Sequence, residues 1–121
     1  MTNSLPVLFE LVGSAVQVVL ADGEVDAERQ ALHCTVAIEQ LKRYRVGKAF
    51  LGVDGLSMTS GLSANSEAEA AISLAAARAA SYVYLLCDAS KLEQGKYFQF
   101  APLSLINTLI TDARASADLL A

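Results

Sequence analysis

Four short apolar runs in this chain are each followed at once by an aspartate, and that repetition limits the folds open to it. The runs are residues 16–21 (VQVVLA) before Asp22, 48–53 (KAFLGV) before Asp54, 82–87 (YVYLLC) before Asp88, and 108–111 (TLIT) before Asp112. Each is mostly apolar and often β-branched, as expected of a strand buried on both faces. Helical periods fit between them. Residues 5–12 carry Pro6 in the first turn and stop before Gly13, the usual asymmetry of helix ends. Residues 35–44 repeat Val36, Leu41 and Tyr44 on one side, and the Ala-rich stretch 67–80 presents Ala68, Ile72, Ala75, Ala76 and Ala79 as its apolar face. Strands alternating with helices of this length call for parallel βαβ units. The expected class is α/β: a mostly parallel, Rossmann-like sheet with flanking helices. Two looser stretches, 55–66 and 89–98, are where function is expected to sit.

In a parallel sheet all strands point one way, so the four carboxylates would gather at one edge, where open α/β sheets bind ligands. Polar loops follow three of them: Gly23-Glu24, Gly55-Leu56-Ser57 and Ala89-Ser90-Lys91. Several acids, small residues and one lysine suit a polyhydroxylated, anionic small molecule. Carboxylates accept hydrogen bonds from hydroxyls, while Lys91 and backbone N–H groups meet a phosphate. The other reading is that an aspartate ends a strand because it caps the next turn or helix. Asp54 and Asp88 have the richest loops. Asp112 precedes Ala113-Arg114-Ala115, a helix start that would use it as a cap.

Composition removes several function classes. A net charge of −4 argues against this chain gripping nucleic acid by itself, which needs a clustered cationic excess. The one basic cluster, Lys42, Arg43, Arg45 and Lys48, falls at the end of the 35–44 helix, where cations complement the dipole. No helix-turn-helix is legible. No apolar run reaches the roughly 20 residues of a membrane span, and the first residues lack a secretory signal, so a cytoplasmic location is expected. The two cysteines, Cys34 and Cys87, form no C-x-x-C unit, and free thiols are the expectation. A lone histidine, His33, with scattered acids makes no metal set; no cofactor is implied.

Other residues carry two readings each. Ser66 with Glu69 is a capping box for the Ala-rich helix; a functional reading of Glu69 at a pocket rests on resemblance to a known family. His33 reads as a surface or capping residue rather than a catalyst. Ser90 and Lys91 are adjacent, so their side chains diverge and form no nucleophile–base pair. Lys96 with Tyr97 would either lid the site or lie on a sheet edge.

Several of these segments together resemble the sensor domain of the DeoR family of bacterial transcription regulators. The residues that carry the resemblance are Lys48-Ala49-Phe50-Leu51-Gly52-Val53-Asp54-Gly55-Leu56-Ser57 with Gly61-Leu62-Ser63, then Leu85-Leu86-Cys87-Asp88-Ala89-Ser90-Lys91. Ala101-Pro102-Leu103-Ser104 with Thr108-Leu109-Ile110-Thr111-Asp112 agree too, as do Thr2-Asn3-Ser4-Leu5-Pro6-Val7 and Gly23-Glu24-Val25. The matches keep the same order across nearly the whole chain.

The resemblance implies a fold shared with ribose-5-phosphate isomerase and glucosamine-6-phosphate deaminase, and a phosphorylated sugar as effector. The Gly52-Val53-Asp54-Gly55 stretch is similar to the deaminase loop bearing an acid–base aspartate, which maps to Asp54. Asp88, Ser90 and Lys91 resemble the isomerase segment near the sugar phosphate. Asn3 and Ser4 match a polar loop that faces ligand. The ligand-binding set expected from residues and resemblance together is Asn3, Ser4, Asp54, Gly55, Gly61, Glu69, Asp88, Ser90 and Lys91, with no catalytic residue and no metal.

This chain departs from the family pattern at Asp22 and Cys34, where glycine is usual, and at Ser73, where lysine is common. Side chains at the first two would crowd the close approach of backbone to an anion. Against the family pattern the sensor domain reads as partial: the first strand and its phosphate loop, most of the second and the last short strand are missing, and the DNA-binding domain is absent. The expected function is effector binding rather than catalysis, with self-association of the chain and DNA contact left to another domain. Two alternatives stand beside it: an isomerase- or deaminase-like enzyme using Asp54 as general base, and a fragment that only associates with other chains through exposed strand edges.

Overall fold

The apolar runs of the second half of the chain pair into one parallel sheet, as their composition requires. In the computed structural model, residues 1–20, 24–26, 31–33, 35–93 and 95–112 are described. They fall into two compact units, 1–44 and 45–121.

In the first unit, α1 (Leu5–Leu11) is capped by Ser4, whose hydroxyl accepts the Val7 N–H, with proline in the first turn. It is followed by strands β1 (Glu24–Asp26) and β2 (Ala31–His33), paired antiparallel from Glu24↔His33 to Asp26↔Ala31, and by α2 (Thr35–Leu41). Among the described residues of the 16–21 run, 16–20, the expected strand does not form. Only Leu20 takes part, in an isolated parallel bridge to Thr2 supported by the Thr2 N–H on the Val19 carbonyl at 2.9 Å. Ala21 and Asp22 lie outside the described residues, as does Cys34. Lys42, from the basic cluster, is spent locally on Glu39 at 2.9 Å.

The second unit is built on β3 (Val46–Gly52), β6 (Ala80–Leu86) and β8 (Thr108–Ile110), in the order β3-β6-β8 and all parallel. Side chains alternate across it. Ala49, Leu51, Val83 and Leu85 point to one face and join Val53, Leu56, Leu62, Ala77 and Leu92 in the core. Lys48, Phe50, Tyr82, Tyr84, Thr108 and Ile110 share the other face by register. There Phe50 stacks on Tyr84 with ring centroids 4.9 Å apart, and the Tyr82 hydroxyl meets Thr108 Oγ1 at 2.6 Å.

Helix α3 (Glu67–Ala79) makes the crossover from the first sheet region to β6. Ser66 caps it by accepting the Glu69 N–H, Glu67 and Glu69 sit in the first turn and Arg78 in the last, matching the helix dipole at both ends. Its buried residues are Ala70, Ile72, Ser73 and Ala77, a face rotated from the one the sequence suggested, with Ala68 exposed. A helix this rich in alanine offers little contrast between its sides, so packing chooses the face.

The stretch 55–66, expected as loop, is a hairpin. Strands β4 (Gly55–Ser57) and β5 (Gly61–Ala64) pair antiparallel, and β7 (Phe98–Ala101) adds to β5. The alternation was hidden because all seven residues of β4 and β5 are buried, which removes the polar half of a strand pattern. The Ser57 hydroxyl closes the turn by accepting the N–H groups of Thr59 and Ser60. Gly61 begins β5 with φ +78°, and a Cβ there would lie 2.4 Å from the Ala101 carbonyl oxygen. Both the conformation and the close approach of β7 require glycine. Gly61→Ala is therefore expected to lower stability by about 2 kcal/mol or more. Urea unfolding checks this, and a loss within experimental error of zero would contradict the geometry.

Candidate functional site

The register of the parallel sheet decides where the acids go. Gly52 pairs with Leu86 and Leu86 with Ile110, so the three strands end level. Each is followed by one inward residue (Val53, Cys87 or Thr111) and then an aspartate. Asp54, Asp88 and Asp112 thus stand at one carboxyl edge, each two positions past its strand. Asp22, the fourth, lies outside the described residues.

Asp54 and Asp88 are each held by a backbone N–H. Asp54 Oδ2 accepts the Asn65 N–H at 2.8 Å, tying the end of β3 to the turn that opens α3, and the Asp54 N–H donates to the Ser63 carbonyl. Gly55 follows directly as the buried first residue of β4 and accepts the Ser63 hydroxyl at 3.3 Å. Asp88 caps a single 3₁₀ turn, Ala89–Lys91. Its Oδ1 accepts both the Ser90 N–H, at 3.0 Å, and the Ser90 hydroxyl. Capping and ligand contact are compatible here, since a carboxylate has about four lone-pair sites.

Among the other expected positions, Lys91 ends the 3₁₀ turn half-buried and Ser90 is exposed. Glu69 lies in the first turn of α3, four residues past the Asn65 that Asp54 holds. Gly61 belongs to the far end of the β4–β5 hairpin, where its contact is with the backbone of β7. Asn3 and Ser4 lie in the first unit, Ser4 as the cap of α1. Ser73 is buried within α3. The Lys96 N–H donates to the Ser63 hydroxyl, leading into β7, while Tyr97 is 81% exposed.

The sequence reading undervalued Cys87 and Asp112. Cys87 directly follows β6, half-buried against the core, and its N–H donates to the Ile110 carbonyl at 3.1 Å. Burial pushes its pKa up; Asp88 and Asp112 push the same way, and Lys91 opposes them. One thiol thus senses two strand-end acids and the lysine together. The signal available in the sequence was the repeated spacing of apolar residue, inward residue, aspartate at three strand ends. Among the described residues no group of histidine, cysteine and acids could hold a metal ion, and no helix is long and apolar enough to cross a membrane.

Comparison with known proteins gives the family. A family model described as the DeoR C-terminal sensor domain matches residues 1–113. The chain belongs to the DeoR C-terminal sensor domain family. It is 33% identical over 97 residues to the transcriptional repressor GlcR of Bacillus subtilis, a match covering 80% of this chain and 37% of that protein. It is 33% identical over 117 residues to the transcriptional regulator GlpR of Haloferax volcanii, covering 97% and 46%. The L-fucose operon activator of Haemophilus influenzae is 28% identical over 112 residues, covering 92% and 45%. The chain spans less than half the length of these relatives. They are regulators of transcription, and the DeoR sensor domain is a regulatory rather than a catalytic family.

A thiol whose pKa is raised holds less thiolate at a given pH, and thiolate is the reactive form. In a Cys34→Ser background, Cys87 is expected to alkylate with iodoacetamide more slowly at pH 8 than a free thiol. Asp112→Asn should speed the reaction and Lys91→Ala should slow it. A rate unaffected by either change would separate Cys87 from the edge.

Proposed function

We propose that this sensor domain binds a phosphorylated sugar at the carboxyl edge of the β3-β6-β8 sheet, and that binding biases a DeoR-type regulator between two states. The observation that carries the reading is the level ending of three parallel strands in Asp54, Asp88 and Asp112, with Lys91 in the turn after the middle one. Asp54, Asp88 and Asp112 accept hydrogen bonds from sugar hydroxyls. Lys91, with the exposed Ser90, meets the phosphate as a charge-assisted donor. Gly55 joins as the buried residue directly after Asp54, and Glu69 contributes from the first turn of α3. Gly61 is included by the likeness of its segment to the family pattern and acts by shaping the hairpin; Asn3 and Ser4, in the first unit, are proposed as ligand-binding on the likeness of their own segment alone.

DNA contact belongs to a separate domain of the regulator. Self-association of the sensor domain is part of the same proposal. Among the described residues no strand pairs with the outer edge of β3 or of β8, and open edges are templates for pairing with another chain. Sedimentation equilibrium of the chain should give a mass above that of one copy.

Thermal melting in the presence of ribose 5-phosphate, glucosamine 6-phosphate, glucose 6-phosphate and fructose 1-phosphate tests the effector site. A compound that binds the folded state should raise Tm, by the equivalent of about 2.7 kcal/mol when present at about 100 times its Kd. Lys91→Ala should weaken a responding sugar phosphate at least about tenfold, a loss of about 1.4 kcal/mol, while the same free sugar is unaffected. No rise with any of the four at millimolar concentration, or equal losses for phosphate and free sugar, counts against the assignment.

A further inference from the structure

Strand β8 is only three residues long, yet it places one of the three edge carboxylates. Its pairing with β6 runs from Tyr84↔Thr108 to Leu86↔Ile110. A slip of two residues would keep every side chain on its own face, so alternation alone does not fix this register. The segment before it cannot help as strand. Residues Leu103–Leu105 form a 3₁₀ turn, closed by the Leu105 N–H on the Pro102 carbonyl and the Ile106 N–H on the Leu103 carbonyl. The chain therefore reaches β8 from a turn and offers Val83 no strand carbonyl.

Asn107 fills that place. Its backbone N–H donates to the Val83 carbonyl at 2.9 Å, and its side-chain Oδ1 accepts the Val83 N–H at 2.8 Å. Both polar groups of one β6 residue are thus held by one residue ahead of β8. Val83 is 4% exposed, so its N–H has little access to water if the amide side chain is removed, and an unmet buried donor bears its full desolvation penalty. Asn107 is itself exposed, so packing does not account for an amide at this position. A pairing of 107 with 83 sets 112 beside 88, each five residues further along parallel strands. A two-residue slip would carry Asp112 about 7 Å along the edge.

We propose that Asn107 is a positioning residue, a two-point clamp on Val83 that sets the register of β8 and so holds Asp112 beside Asp88 at the effector site. The role rests on the effector reading above, but the clamp has a readout of its own in the absence of any sugar. Asn107→Ala removes the acceptor, whereas Asn107→Asp keeps an oxygen in the same place and is the conservative rescue. Ala77→Gly in α3 lowers stability while leaving the Asn107–Val83 hydrogen bonds in place and serves as the stability control.

Amide hydrogen exchange of Val83 should quicken about tenfold or more in Asn107→Ala and return to within about threefold of the native rate in Asn107→Asp. Titration with ribose 5-phosphate and glucosamine 6-phosphate should show at least about a tenfold loss of affinity in Asn107→Ala, recovery in Asn107→Asp, and no loss in Ala77→Gly. Should Asn107→Ala not fold, Asn107→Ser, too short to reach Val83, supplies the same comparison. Unchanged Val83 exchange in the alanine or serine variant overturns the clamp. So does an affinity loss matched by Ala77→Gly or not recovered by aspartate. If the native chain binds neither sugar phosphate, the effector reading fails for these probes. The exchange measurement then decides the clamp by itself.

Discussion

The hydrogen-bonded ladder along β6 is the constraint on which the second unit depends. This strand pairs on both sides, with β3 over most of its length and with β8 at its end. A ladder fixes neighbours in steps of whole residues, so once β6 is paired the heights of the flanking strand ends follow. Those heights bring three aspartates from distant parts of the sequence to one edge. A shift of one residue in either pairing would turn side chains to the wrong face. The inner face, with Leu85 of β6 fully buried, resists that by the loss of about 2–3 kcal/mol for each large apolar side chain exposed.

Around this ladder the loops hold two of the edge acids through backbone hydrogen bonds. Asp54 fixes the start of the α3 turn through Asn65, and Asp88 fixes the 3₁₀ turn that carries Lys91. The capping and binding readings of these acids are therefore not rivals in the folded chain. A carboxylate whose position is set by a backbone N–H is already ordered before a ligand arrives, which reduces the entropy lost on binding. The small antiparallel sheet supports the same edge from beside it. Its Ser63 hydroxyl bonds to the Gly55 carbonyl and accepts from Lys96, linking the residue after Asp54 to the chain that leads into β7.

Much of this was legible from residue patterns, unevenly. The runs at 48–53, 82–87 and 108–111 became β3, β6 and β8 with ends shifted by one or two residues, because continuous apolar stretches of this length suit only a strand covered on its faces. Proline and glycine marked the ends of α1. The run at 16–21 looked equally good, yet among its described residues only a bridge at Leu20 forms, since local propensity does not supply a partner ladder. The β4–β5 hairpin was unreadable for the opposite reason. Its serines and glycines resemble loop, yet each is buried, with hydroxyls turned onto neighbouring backbone. Cys87 passed as an ordinary free thiol until β8 was set beside it.

By itself the sequence determined the α/β class, the crossover helix with its Ser66 cap, the aspartate after each principal strand and the family to which the chain belongs. These depend on short-range periodicity, on caps within three or four residues and on motifs read in order. Only the tertiary structure decided which strands are neighbours, that their ends are level, which side of an alanine-rich helix is buried, and that Asn107 serves Val83. Those outcomes arise from hydrogen bonds between residues some twenty or more positions apart, whose partners are chosen by the closing of the sheet and leave no local pattern to read.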